Sequence, residues 1–378
     1  MMRKNRLLKA NKHETSKLKG VIKMCLFSFV LTGIVACKTE YQLTTNTSQL
    51  SKQAHQQLLQ ETKQAILNLD LAKVANLTAT VDVNHALADK SSLLAWAVET
   101  QEPQLVELLL KKGAKVKLAN SNRFTPIIQA CRYGNTEIIN ALLDRGADPN
   151  STIEDGTSAF QLCAGSATTE DLARIVSLGA NISAQNSDGQ TALMWAANFG
   201  KLENFNYLVS KGANINQQTQ QGYSPLFFAI KSHNLEVIKA AIAQGADLFA
   251  TTADGTTAAQ LGVYTKDYVF LTWFANEMNA LMSPEATQKI LTSFDRDGYQ
   301  LLHAAVKANQ PELVANLLAL GANSTTQSEP SKLKWRYEAN FKSENYYPPQ
   351  LTPIELAEKK EFKEILSMLS SELQNETE

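Results

Sequence analysis

Five histidines and four cysteines have the widest chemical reach in this chain, and their spacing decides what chemistry is open to them. The histidines are His13, His55, His85, His233 and His303, and no two stand at the short separations that gather metal ligands. No His-Glu-x-x-His helix occurs, no Gly-x-Ser-x-Gly elbow exposes a serine, and no glycine loop is built to cradle phosphate. No catalytic residue, metal or cofactor is assigned on this basis, and neither an enzyme nor a small-molecule substrate is expected. The cysteines divide differently. Cys25 and Cys37 fall near the N-terminus, and Cys131 and Cys163 fall in the body of the chain.

Cys37 has the more informative setting. Eight basic residues and a single acid, Glu14, precede it, followed by an apolar run from Met24 to Ala36 that stops at the cysteine. A basic segment, a short apolar segment and small residues before the stop are the marks of an export signal, and the run is short for a membrane span. The sequence Ile34-Val35-Ala36-Cys37 resembles the bacterial lipobox. That resemblance implies cleavage of residues 1–36 and lipidation of Cys37, with several acyl chains anchoring the protein at about 0.8 kcal/mol per buried methylene. An uncleaved anchor or a plain secretory signal remains the alternative. Lys38 follows the lipid site, which by resemblance to proteobacterial lipoproteins implies an outer-membrane location facing the periplasm.

Removal of the leader changes the charge balance from 36 basic and 37 acidic residues to 28 and 36, a net of about −8. An acidic body argues against nucleic acid or an anionic membrane surface as the partner. Residues 37–54 are polar and lack apolar periodicity, so they are expected to form a tether spanning roughly 20–25 Å as a coil.

The remainder, residues 55–378, is periodic. Gly113-Ala114, Gly146-Ala147, Gly179-Ala180, Gly212-Ala213 and Gly245-Ala246 recur every 33 residues, and Gly321-Ala322 follows later. Twelve residues after the Gly of most pairs comes Thr125-Pro126-Ile127, Ser158-Ala159-Phe160, Thr191-Ala192-Leu193, Ser224-Pro225-Leu226 or Thr257-Ala258-Ala259. Thr or Ser is a good helix N-cap, and Pro at the first helical position loses no hydrogen bond. A Gly after the second helix supplies the left-handed residue that ends it. Pairs such as Asp155-Gly156 and Asp188-Gly189 suit tight turns.

This pattern resembles the ankyrin repeat. The resemblance implies an all-α solenoid of about eight to nine units, each a helix-turn-helix with a β-finger, stabilised by stacking. It also implies that His303 fills a structural slot by bonding to neighbouring backbone. The pattern breaks twice, near 278–294 and 328–350. In the first break, Ser283-Pro284-Glu285 predicts an extra short helix, either a contact element or an adjustment of curvature. The second break carries Trp335, Arg336, Tyr337 and Tyr346, either a binding loop or a flap over the last unit.

In ankyrin proteins the partner usually lies on the concave face, made by finger tips and inner helices. The position after the His slot runs Trp96, Gln129, Leu162, Trp195, Phe228 and Leu261, a ladder of constant spacing. Large aromatics in register are unusual for a solvated face, so the ladder is a candidate protein-binding surface. The alternative is packing against adjacent fingers. Phe124, Tyr223 and Tyr299 occupy the finger position and should border it. Cys131 and Cys163 are one position out of register on adjacent inner helices, so a Cα separation short enough for a disulfide is not expected. They read as small buried thiols. The functional expectation is a lipid-anchored scaffold of the bacterial envelope that captures a protein partner. A neutraliser of a secreted lipase or wall hydrolase, and an assembly component of an envelope complex, are its two sharper forms.

Overall fold

The computed structural model describes residues 53–330 and 350–375, and among them α-helices are the only extended elements. The array opens with α1 (residues 53–67) and α2 (Leu71–Leu77). Four regular pairs follow: α3 (Leu93–Glu99) with α4 (Pro103–Lys111), α5 (Pro126–Tyr133) with α6 (Thr136–Asp144), α7 (Ala159–Ser166) with α8 (Thr169–Ser177), and α9 (Ala192–Asn198) with α10 (Leu202–Ser210). The fifth is α11 (Pro225–Lys231) with α12 (Leu235–Ala243). Next comes α13 (Ala258–Thr265) with the longer α14 (Tyr268–Leu281), then an additional α15 (Pro284–Thr292). The last pairs are α16 (Leu301–Lys307) with α17 (Pro311–Ala319) and α18 (Pro353–Lys359) with α19 (Lys363–Asn375). First helices stack on first helices, and second on second, along the array.

The helix starts follow from cap chemistry. Ser92 accepts a hydrogen bond from the Ala95 N–H, and Ser158, Thr191, Thr257 and Thr352 each form a reciprocal capping box. Thr125 and Ser224 make no side-chain cap bond, and there Pro at the first turn removes a donor that would otherwise need one. The ends follow from glycine: Gly212, after α10, sits at φ +87°, where a β-carbon would be strained. The fingers are tight turns. Only Thr152–Ser158 and Thr251–Thr257 pair as isolated antiparallel bridges among the described residues. Consecutive fingers are joined by backbone bonds, Ser187 N–H to Asp155 O (2.8 Å) and Gln220 N–H to Asp188 O (3.0 Å).

One apolar core runs the length of the array, from Leu59 to Leu369. Phe160, Phe205, Phe227, Phe270 and Phe274 are fully buried in it, each contributing about 1.5–3 kcal/mol relative to exposure. Since each unit has a face that only its neighbour covers, these contributions belong largely to the junctions. Polar brackets add register. Asn204 is buried and donates to the carbonyls of Ala164 and Ala167 (both 3.0 Å), satisfying the otherwise orphaned end of α7. Asn84, Asn150 and Asn216 each donate to the glycine carbonyl of the next unit, Gly113, Gly179 and Gly245.

His303 is fully buried and donates through Nε2 to the Leu351 carbonyl at 3.1 Å, tying α16 to the last unit. Burial pushes its pKa below the ordinary value, opposed by the Leu351 and Thr326 backbone.

One expectation is overturned. Cys131 on α5 and Cys163 on α7 have Cα atoms 4.4 Å apart and are joined as a disulfide. The reason lies in how closely these helices approach. Ser166 donates to the Cys131 carbonyl, and the two helices meet where Gly134 leaves room for the Ser166 backbone. At that spacing an offset of one residue does not carry the cysteines out of reach.

Candidate protein-binding face

The exposed sides of the first helices and the fingers beside them form one face. Counting from each N-cap, positions four, seven and eight point to the same side of a 3.6-residue helix. The fourth positions are the ladder: Trp96, Gln129, Leu162 and Trp195 are half-buried, whereas Phe228 and Leu261 are buried.

At the N-terminal end the ladder is polar. The Trp96 indole N–H donates to Ser91 Oγ (2.7 Å), and Lys63 Nζ lies 3.6 Å from the ring centroid. Glu99 accepts from Gln129 Nε2 (3.2 Å) and from the Tyr133 hydroxyl (2.6 Å). That bond, with burial second, raises the Tyr133 pKa above its ordinary value. Phe124 is half-buried, with the Arg132 guanidinium 6.0 Å from its ring.

The middle is apolar. Trp195 stacks on Phe199 with centroids 5.9 Å apart and planes 15° apart. Phe199 is 55% exposed, and its ring packs against Gly165 of the preceding unit, where a β-carbon would collide with it at 2.6 Å. Together with Phe228, Asn198 and Lys231, these rings line a groove of about 270 Å³. The Trp195 indole Nε1 is buried and has no hydrogen-bond partner among the described residues. Phe228 packs under Tyr223 at 6.1 Å, so it forms the floor of the groove rather than its lip. Lys231 Nζ lies 5.3 Å from the Tyr223 ring and 5.4 Å from that of Phe228.

Tyr299 is separated from this groove and faces Lys307, whose Nζ is 4.5 Å from its ring. Cys37, Trp335, Arg336, Tyr337 and Tyr346 lie outside the described residues. Phe199 and Lys231 were not among the residues read from sequence. They occupy positions eight and seven after the N-cap, so counting three or four residues on from Trp195 and Phe228 would have found them.

Comparison with known proteins agrees with the geometry. The family model for ankyrin repeats, in three copies, matches residues 62–153 and 160–252. An ankyrin repeat and KH domain-containing protein of Caenorhabditis elegans is 35% identical over 85 residues, 22% of this chain and 3% of that protein. An ankyrin repeat protein of Rickettsia bellii is 36% identical over 63 residues, 17% of this chain and 19% of that protein. The chain thus spans only a small part of these relatives. The human ASB11 ankyrin repeat domain superposes with a TM-score of 0.48 at 25% identity, covering 53% of this chain and 90% of that domain. The 33-residue period, the capped helix pairs, the finger turns and the family match make this chain an ankyrin-repeat solenoid, and ankyrin repeats are protein-interaction modules.

Proposed function

We propose that this chain is a lipid-tethered scaffold of a bacterial envelope that captures a protein partner on the face bearing Trp195, Phe199 and Phe228. The observation that carries the binding reading is the groove itself. A large aromatic, Phe199, stays 55% exposed beside an indole whose buried N–H has no partner among the described residues. Large aromatic anchors gathered in a groove are what protein-binding hot spots are enriched in. The leader ending at Cys37 supports tethering, and the Cys131–Cys163 disulfide suits the oxidising compartment that export would reach.

Capture of partners from detergent-solubilised envelopes tests the face. Relative to the native sequence, Trp195→Ala with Phe199→Ala is expected to weaken capture by at least tenfold, since each aromatic anchor contributes about 1–2 kcal/mol or more. Undiminished capture by a variant with unchanged circular dichroism would remove the groove from consideration. The identity of what is captured separates the two sharper readings. A secreted lipase or wall hydrolase marks a neutralising partner, and a resident envelope protein marks an assembly role. Tethering has its own test: metabolic labelling with a clickable fatty acid is expected to mark the native chain and not Cys37→Ser. A native chain that takes up no label, or a Cys37→Ser chain labelled as strongly, would contradict lipid anchorage at that residue.

A further inference from the structure

Two edge positions of the repeat change character in the first unit alone. The turn from first to second helix holds one residue in the left-handed region. In later units that residue is glycine (Gly134, Gly200) or polar (Gln101, His233, Lys266, Asn309, Glu361). Both choices have a reason: glycine has no β-carbon to strain, and a polar side chain suits an edge that faces water. Between α1 and α2 the same residue is Leu69, at φ +58° and 53% exposed. Two residues earlier, later units carry residues such as Glu99, Arg132, Asn198 and Lys307, whereas α1 carries Leu67, 40% exposed. No later unit places a branched aliphatic side chain at either position.

Leu71 extends the patch. Its counterparts Leu202 and Leu235 open α10 and α12 and are half-buried, but Leu71 is 38% exposed in the first unit of the array. None of the three leucines belongs to the apolar core or to the half-buried residues packed on it. A leucine held both in water and in the left-handed region is unfavourable for the isolated fold, and clustered exposed leucines mark a contact surface. The neighbouring charges are engaged locally. Lys73 pairs with Glu61 at 2.9 Å, and the exposed Asp70 caps α2 by accepting from the Lys73 backbone N–H. The patch is therefore apolar in what it offers.

Chain length points to what meets it. Residues 38–52 join Cys37 to α1. A link of that length reaches about 20 Å as a coil and about 50 Å drawn out. From residue 53 to its turn, α1 is about 22 Å long. A link returning along α1 therefore brings the leucine corner to the bilayer in which Cys37 is anchored.

We infer that Leu67, Leu69 and Leu71 seat the first unit in the interfacial layer of the membrane that carries the Cys37 acyl chains. The inference rests on lipidation at Cys37 and names the surface against which the tether holds the array. The acyl chains supply attachment, and the corner supplies orientation. The contact needs no charged lipid, so the acidic body does not oppose it.

The test uses the mature lipidated chain reconstituted into phosphatidylcholine vesicles. Cys25 leaves with the leader, Cys37 is acylated and Cys131 is bonded to Cys163, so a single introduced cysteine takes a fluorescent label cleanly. An environment-sensitive fluorophore is placed at Ala72→Cys, beside the leucines, or at Glu236→Cys, the equivalent exposed position of α12. The Ala72 probe is expected to shift to the blue and to be quenched several-fold more strongly by shallow nitroxide lipids than the Glu236 probe. Leu67→Gln/Leu69→Asn should remove that difference without lowering the urea midpoint, because asparagine tolerates the left-handed region. Equal quenching at the two positions, or quenching unchanged by the double substitution, would overturn the assignment. So would an Ala72 probe equally shielded without vesicles, which would show that the chain covers its own corner. A chain that takes the fatty-acid label and floats with vesicles but leaves the Ala72 probe in water sinks the corner alone. A chain that neither takes the label nor floats sinks the anchor and the corner together.

Discussion

Opening the Cys131–Cys163 bond is expected to lower the stability of the central units by about 3–4 kcal/mol. The bond closes a span of 32 residues, and the chain entropy removed from the unfolded ensemble by a loop of that size corresponds to about that figure. Both cysteines are fully buried, so reduction also leaves two thiols in a close-packed junction that cannot relax freely. In a repeat array each unit is stabilised mainly by its neighbours. The loss should therefore concentrate at the junction between the α5–α6 and α7–α8 units rather than spread evenly. Urea unfolding of the oxidised chain, the chain in reductant, and Cys131→Ala/Cys163→Ala measures it. Reductant and the double substitution should shift the midpoint in the same direction. A midpoint indifferent to reductant would show that the bond contributes nothing to the folded array.

A contrast between two glycines should give the next largest effect. Gly134 and Gly212 both sit in the left-handed region, at φ +75° and +87°, so alanine at either carries about 1–2 kcal/mol of backbone strain. Their surroundings differ. A β-carbon on Gly212 would meet nothing within 4 Å, whereas one on Gly134 would lie 2.4 Å from the Ser166 carbonyl oxygen. Backbone cannot swing aside as a side-chain tip can, so Gly134→Ala adds an overpacking penalty of about 1–3 kcal/mol. Gly134→Ala is thus expected to destabilise by about 2–5 kcal/mol, clearly more than Gly212→Ala, in the same urea experiment. Equal losses would mean that α5 and α7 can separate at little cost, which would also undercut the argument for the disulfide.

Both effects arise at one junction, and that junction neighbours the proposed binding groove. Gly165, two residues after Cys163, carries the Phe199 ring. The bond that holds α5 to α7 therefore also steadies the platform on which the exposed aromatic pair rests. Preorganisation of this kind improves binding by reducing what must be ordered when the partner arrives.

Much of the architecture was legible from residues alone because it depends on local chemistry. Ser92, Ser158 and Thr191 cap helices through their own side chains, Gly212 ends one through its lack of a β-carbon, and Ser283-Pro284 starts α15. These causes act over three or four residues, and the constant spacing copies them from unit to unit. His303 likewise sits in its slot and reaches neighbouring backbone.

What only the tertiary structure decided depends on how one unit lies against the next. Cys131 and Cys163 are out of register along the chain but adjacent in space, because helix separation and not residue number sets the distance across a junction. Phe228 shares a ladder position with Trp195 yet is buried, because Tyr223 lies against it, while Phe199 projects, because the position facing it is Gly165. The cleft of about 560 Å³ between Tyr264 and Tyr299 carried no local signal, although Tyr299 itself was read as a finger residue. It exists because α15 holds α13 and α16 apart, and no local pattern records the width of a gap between two helices. Periodicity specifies which residues recur on a face; the packing of each junction determines which of them are exposed.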